Sequence, residues 1–207
     1  MRVETAEQAL SILQDNDTIW CHSMAATPYY LLQALAKVAL ERRNLTLLQL
    51  HTEHSEILCD EALNGHLRQR CFFVGSSTRA AVQCGQADYV PIFLSEVPKL
   101  FRSQEQPLDA VLLQVSAPDA HGFCSLGVSV EATRAALQVA KKLLPGLTRK
   151  CRAPMVILSC ISASLTVMLN LAARCRCTGP RSRMILPSKL AAMWPALFVM
   201  VIVCKWA

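Results

Sequence analysis

Two short apolar runs most constrain what this chain can fold into. Leu45–Leu50 is largely apolar, and Ala110-Val-Leu-Leu-Gln-Val-Ser116 carries apolar residues on both faces of an extended backbone. A strand of that kind must be covered on both sides, which is the signature of a parallel sheet sandwiched by helices. The segments around these runs agree. Thr5–Leu13 places Ala6, Ala9, Leu10 and Leu13 on one helical face, and Asp17-Thr-Ile-Trp-Cys21 follows an Asn-Asp turn as a short strand. From Pro28 to about Arg43 a second helix is expected, with Leu31, Leu32, Leu35, Ala36 and Val38 as its buried stripe. The rhythm then repeats. It predicts a strand at Cys71–Gly75, a helix from Thr78 to about Cys84 capped by Ser76 or Ser77, and an edge strand at Ala87–Phe93 interrupted by Pro91. Helices at Leu94–Phe101 and Val130–Lys142 flank the Ala110–Ser116 strand, and a short stretch Phe123–Gly127 lies between. The fold class is α/β, a largely parallel sheet flanked by helices, with ligands expected at the carboxyl ends of its strands.

Charge divides the chain in two. All 15 acidic residues lie between Glu4 and Glu131, while residues 143–207 hold 9 of the 21 Lys and Arg and no acid. Soluble surfaces normally intersperse both signs, so the net charge of +6 is no sign of nucleic-acid binding. It separates an α/β domain over residues 1–142 from a basic tail over 143–207 that is expected to be poorly ordered. Cysteines split evenly: Cys21, Cys59, Cys71, Cys84 and Cys124 precede the boundary, and five more follow it. Met1–Asn16 is polar and acidic and lacks the apolar core of a secretory signal, so the first five read as buried reduced thiols. Cys175 and Cys177 have no His or Cys partner at zinc-finger spacing, so no metal site is expected. A dinucleotide-binding Gly-x-Gly-x-x-Gly, a phosphate-binding Gly-Lys-Ser/Thr loop and a Gly-x-Ser-x-Gly nucleophile elbow are all absent.

Two strand exits could carry chemistry. The first, Ser23-Met-Ala-Ala-Thr-Pro28, has small side chains that let a ligand approach the backbone, ahead of a helix whose free N–H groups favour an anion. A close-packed strand–helix turn explains the same residues. The second, Pro118-Asp-Ala-His-Gly-Phe-Cys-Ser-Leu-Gly127, gathers Asp, His, Cys and Ser on one loop. Taken singly, Asp119 reads as a turn former and Cys124 as a small buried hydrophobe. His51 and His54, beside Glu53 and Glu56, read as a solvated loop or helix start.

Taken together, His22–Pro28, Phe73-Val-Gly75, Ala87–Pro98 and Gln114–Gly127 resemble the N-terminal domain of the acetyl-CoA hydrolase/transferase family, in the family's order. That family includes acetate, butyrate and 4-hydroxybutyrate CoA-transferases. The resemblance implies an enzyme that moves CoA between an acyl-CoA and a short-chain carboxylate, with acetyl-CoA hydrolysis as the alternative. It implies coenzyme A and acyl-CoA as substrates, no permanently bound cofactor, no nucleic-acid partner, and a cytoplasmic setting. Ser23, Met24, Ala25, Ala26, Pro28, His121, Gly122, Cys124, Ser125, Leu126 and Gly127 are carried over as candidate substrate- and CoA-binding residues. Family members use a glutamate of a second α/β domain, which passes through an anhydride to a glutamyl-CoA thioester. No glutamate follows Glu131 here, so no catalytic residue is assigned and the chain as written is expected to be a truncated, inactive half.

The tail resembles a shifted reading frame. Reverse translation of Thr148–Ile157, begun one base earlier, permits Asn-Pro-Lys-Met-Pro-Arg-Thr-His-Gly-Asp, which resembles the family's next segment. Trp194–Ala207, shifted by the same base, permits a second family-like segment. A single frame change near Lys142–Leu143 is the resulting expectation. The rival readings are a non-catalytic CoA-ester-binding half-domain and a membrane-anchored protein. An anchor would use residues 153–173, which are uncharged and long enough to span a bilayer but rich in Ser, Thr, Asn and Cys.

Overall fold

A computed structural model describes residues 5–116, 124–127 and 129–148, together with the backbone of three two-residue strands at 157–158, 171–172 and 201–202. The strands are β1 (Thr18–Cys21), β2 (Leu45–Gln49), β3 (Leu67–Cys71), β4 (Ala87–Tyr89), β5 (Ala110–Ser116), β6 (Cys124–Ser125), β7 (Lys142–Thr148), β8 (Ile157–Leu158), β9 (Leu171–Ala172) and β10 (Val201–Ile202). The helices are α1 (Ala6–Leu10), α2 (Tyr29–Ala39), α3 (Ser76–Gln83), α4 (Val97–Arg102) and α5 (Thr133–Val139). The main sheet runs in the order β4-β3-β2-β1-β5-β7-β10-β9 with every pair parallel, and β6 pairs with β8 antiparallel.

Alternate residues of the strands feed two cores. On one face Ile19, Cys21, Leu45, Leu47, Ala110, Leu112 and Leu144 pack with α1 and α2 residues such as Leu10, Leu31 and Leu35. On the other, Trp20, Leu48, Val111, Leu113, Val115 and Leu143 pack with Phe101 and with Ala135 and Ala136 of α5. The sheet is therefore the middle of three layers, as the doubly apolar runs require. Growth of the sheet starts at β1, proceeds outward through β2, β3 and β4, then returns so that β5 lands on the opposite side of β1. This reversal creates a crevice at the carboxyl ends of β1 and β5, where ligands bind in open α/β sheets.

The Ala110–Ser116 strand has the expected bounds, but several other elements differ. The strand expected at Cys71–Gly75 lies at Leu67–Cys71, because Leu67, Gln69 and Cys71 point inward while Arg68 and Arg70 face out and meet Asp88 of β4. Phe72 and Phe73 already belong to the exit loop. The Ser76/Ser77 cap is absent: Gly75 precedes α3, and Ser77 instead donates its hydroxyl to the Thr52 carbonyl at 2.7 Å. The helix expected at Leu94–Phe101 begins only at Val97, with Pro98 in its first turn. The one expected to end at Lys142 stops at Val139, because Lys142 starts β7. That strand continues the sheet through Thr148, pairing residue by residue with β5 beyond the charge boundary. Among the first five cysteines, Cys21, Cys71 and Cys124 are buried, Cys59 is half-buried and Cys84 is exposed at the end of α3, so the expectation of burial fails there. Among the described residues, no helix is long and apolar enough to cross a membrane. Apart from the β8 and β9 backbone, residues 153–173 lie outside the described residues.

Candidate functional site

The first junction leaves β1 at Cys21 and turns at once. Met24–Ala26 forms a single tight turn, closed by Ala26 N–H to Ser23 O at 3.1 Å and Thr27 N–H to Met24 O at 3.1 Å. Met24 has φ +54°, a left-handed conformation that costs a residue with a side chain on the order of 1–3 kcal/mol and persists only where surroundings enforce it. Two contacts from the β2 exit do so. Met24 N–H donates to His51 O at 2.6 Å, and the Thr27 hydroxyl donates to Met24 O at 2.8 Å while accepting Glu53 N–H at 3.2 Å. Ser23, Ala26 and Pro28 are buried, whereas Ala25 is exposed and Met24 is 49% exposed. The turn thus presents two residues and hides the rest.

The second junction returns after β5. Ser125 N–H donates to the Ser116 hydroxyl at 2.8 Å, so the loop's end is tied to its beginning, and Gly127 N–H donates to Ser125 Oγ at 3.0 Å. Gly127 has φ +74°, which glycine adopts without steric cost. Cys124, Ser125 and Leu126 are buried, so these three support the loop rather than line a surface. His121 and Gly122 lie outside the described residues.

The first junction is fastened at the β1–β5 crevice to Ser129 and Glu131, which follow the second junction. Fully buried His22 accepts Gln114 N–H on Nδ1 at 3.3 Å and donates from Nε2 to the Ser129 carbonyl. This pattern fits a neutral ring, and burial lowers its pKa, against the opposing pull of the Ser129 carbonyl and the Glu131 carboxylate. Next along β1's exit, the Ser23 hydroxyl donates to Glu131 Oε1, which also accepts from the Thr133 hydroxyl at 3.4 Å. Thr133 in turn accepts the Trp20 indole N–H at 3.0 Å. Sequence reading missed Glu131, although it stands as a lone charge in the apolar stretch Val128–Ala132.

Beyond Met24, the crevice edge carries His51, whose ring lies 3.1 Å from Glu53 Oε1 and 5.3 Å from the Phe73 ring. A β-carbon at Gly75 would sit 3.2 Å from the His51 ring, so glycine there leaves the ring its room. No group of three or more His, Cys, Asp and Glu side chains among the described residues is arranged to hold a metal ion. At the crevice the described residues bring together backbone groups, the Ser23 and Thr133 hydroxyls and the Glu131 carboxylate, with Glu53 beside His51 at the edge.

The profile of the acetyl-CoA hydrolase/transferase N-terminal domain matches residues 1–156. The chain belongs to that family. It is 41% identical over 140 residues to a succinyl-CoA:acetate/propanoyl-CoA:succinate CoA transferase of Fasciola hepatica, covering 67% of this chain and 29% of that one. It is 35% identical over 143 residues to the 4-hydroxybutyrate coenzyme A transferase of Clostridium kluyveri, covering 69% of this chain and 33% of that one. Among solved structures, RipA from Yersinia pestis superposes with a TM-score of 0.66 at 25% identity, covering 72% of this chain and 37% of that one. The chain therefore spans about a third of the length of the curated relatives it matches. In this CoA-transferase family member, the crevice between β1 and β5 belongs to the matched part.

Proposed function

We propose that residues 1–142 are the N-terminal half of an acyl-CoA:carboxylate CoA-transferase, and that the β1–β5 crevice holds part of a CoA ester. The observation that carries this reading is the tying of the β1 exit, through His22 and Ser23, to Ser129 and Glu131 just after the Ser125–Gly127 loop at the sheet's reversal point, in a chain whose relatives are named CoA transferases. A thioester placed there would lie against the exposed Met24–Ala25 turn, with buried groups behind it fixed by the hydrogen bonds of His22 and Ser23. The carboxylate nucleophile that the family resemblance calls for is absent after Glu131. The chain as written binds but does not transfer. The same proposal reads the tail as out of frame beyond a point near Lys142–Leu143. The matches to these two curated relatives run over 140 and 143 residues, and the family profile extends to residue 156.

The experiment compares two proteins given butyryl-CoA and acetate: the 207-residue chain, and a version with the shifted frame restored beyond Lys142. Acetyl-CoA should form only with the second. Transfer by the first would overturn the inactive-half reading, and stop codons in the shifted frame of the gene would overturn the frame reading. Release of free CoA without any carboxylate acceptor would favour an acetyl-CoA hydrolase instead.

A further inference from the structure

Glu131 is an unusual carboxylate. It lies half-buried between the exit of β1 and the start of α5, and no Lys or Arg pairs with it among the described residues. It accepts hydrogen bonds from two hydroxyls: Ser23 Oγ, from 108 residues away in sequence, and Thr133 Oγ1. Holding an unpaired charge away from water is costly. A neutral amide of the same shape would fill the space more cheaply. What the charge adds is bond strength, because a hydroxyl donating to a carboxylate makes a shorter and roughly twofold stronger bond than one donating to a neutral oxygen.

The bond's location shows what that strength acts on. Trp20, His22 and Ser23 are each tied to residues 129–133: indole to Thr133, imidazole to the Ser129 carbonyl, hydroxyl to Glu131. The Ser23 tie is the last before the chain enters the left-handed residue Met24, whose side chain is half exposed at the crevice. On the far side Met24 is held by the His51 carbonyl and the Thr27 hydroxyl. A strained residue clamped from both sides can project in one direction only.

We infer that Glu131 is a positioning residue that, through Ser23, fixes the Met24–Ala25 turn in the shape that meets the acyl-CoA. This rests on the CoA-ester reading of the crevice for its ligand, but not for its geometry. The test uses the full 207-residue chain labelled with 13C-methyl methionine, the Met24 resonance being assigned by its loss in Met24→Leu, and acetyl-CoA as the titrant. Glu131→Ala is expected to shift or broaden the Met24 resonance and to weaken acetyl-CoA binding by about tenfold, the equivalent of one lost bond to a charged group. Ser23→Ala cuts the same bond from its other end and should reproduce the Met24 change, which covers the case of a Glu131→Ala chain that does not fold. Glu131→Gln, which keeps an acceptor oxygen but gives up the charge, should fall between the parent and Glu131→Ala, a graded rescue that loss of general stability would not show. An unchanged Met24 resonance in both alanine variants overturns the inference. Failure of the parent chain to bind acetyl-CoA overturns the ligand reading instead, and the Met24 resonance still decides the positioning role.

Discussion

Replacing His22 by leucine tests the physical basis of the crevice. The ring is fully buried and bonded at both nitrogens, accepting Gln114 N–H and donating to the Ser129 carbonyl. Leucine is of comparable bulk, so the change leaves little cavity and isolates the polar loss. Two buried backbone groups would lose their partner, each at about 1–3 kcal/mol. The 3.3 Å Gln114 bond is long, so its share belongs at the low end. The sum is about 3 kcal/mol, a large fraction of the roughly 5–15 kcal/mol that holds a domain folded. Urea unfolding read by Trp20 fluorescence, with Trp194 and Trp206 both changed to phenylalanine, should show a lower midpoint at an unchanged slope. The pH dependence supplies a second arm. Burial lowers the His22 pKa, so below about 6.5 the unfolded chain binds a proton that the folded chain resists, and stability is lost as pH falls through that value. His22→Leu should remove this component of the acid limb. A loss under about 1 kcal/mol at neutral pH would refute the claim that His22 satisfies both backbone groups.

Two further outcomes are expected. Lys142 and Lys141 each hold a carboxylate at 2.7 Å, but the Lys142–Asp17 side chains are only 19% and 9% exposed, whereas Lys141 is 71% exposed. Lys142→Met should therefore cost about 1–3 kcal/mol in urea unfolding, and Lys141→Met should leave the midpoint unmoved, since equal distances in unequal dielectric surroundings are unequally strong. Gly75→Ala should leave the fold intact while displacing the His51 ring, which its new methyl would meet at 3.2 Å; the His51 ring resonances should move, and acetyl-CoA affinity should fall if that ring borders the ligand.

The parts of the fold legible from sequence are those where burial on two faces leaves a continuous apolar run. Ala110–Ser116 was expected with its observed bounds because no polar side chain can be tolerated on either side of it beyond Gln114 and Ser116. β3 was misplaced for the opposite reason. It lies next to the edge strand, so Arg68 and Arg70 face outward, and the more apolar Phe72–Val74 that follows outweighs it in any reading of hydrophobicity. The two junctions were legible as loops of small and polar residues after strands, but their fastening was not. Neither Ser23 nor Glu131 carries a local sign of a partner more than a hundred positions away, and the tie exists only because β5 returns to the side of β1 opposite β2.

That return also accounts for where the apolar surface lies. Among the described residues, Met24, Phe73, Tyr89, Phe93 and Leu94 are the large hydrophobic residues most exposed besides Leu40, and all five sit at or just after the carboxyl ends of β1, β3 and β4. In a parallel sheet these carboxyl ends lie on one side, so the exposure falls on the same side of the sheet as the crevice, spread from β1 out to the edge strand β4. A fold that buried its own ligand would have no reason to leave aromatic side chains such as Phe73, 52% exposed, and Phe93, 77% exposed, on that side. A fold that supplies one wall of a site would, because the opposite wall must have something to pack against. The relatives' length supports the second account: roughly two thirds of each lies outside the segment this chain matches. Under the function proposed above, the crevice residues would orient the substrate and Glu131 would act on it only through Ser23, as a clamp rather than as the nucleophile.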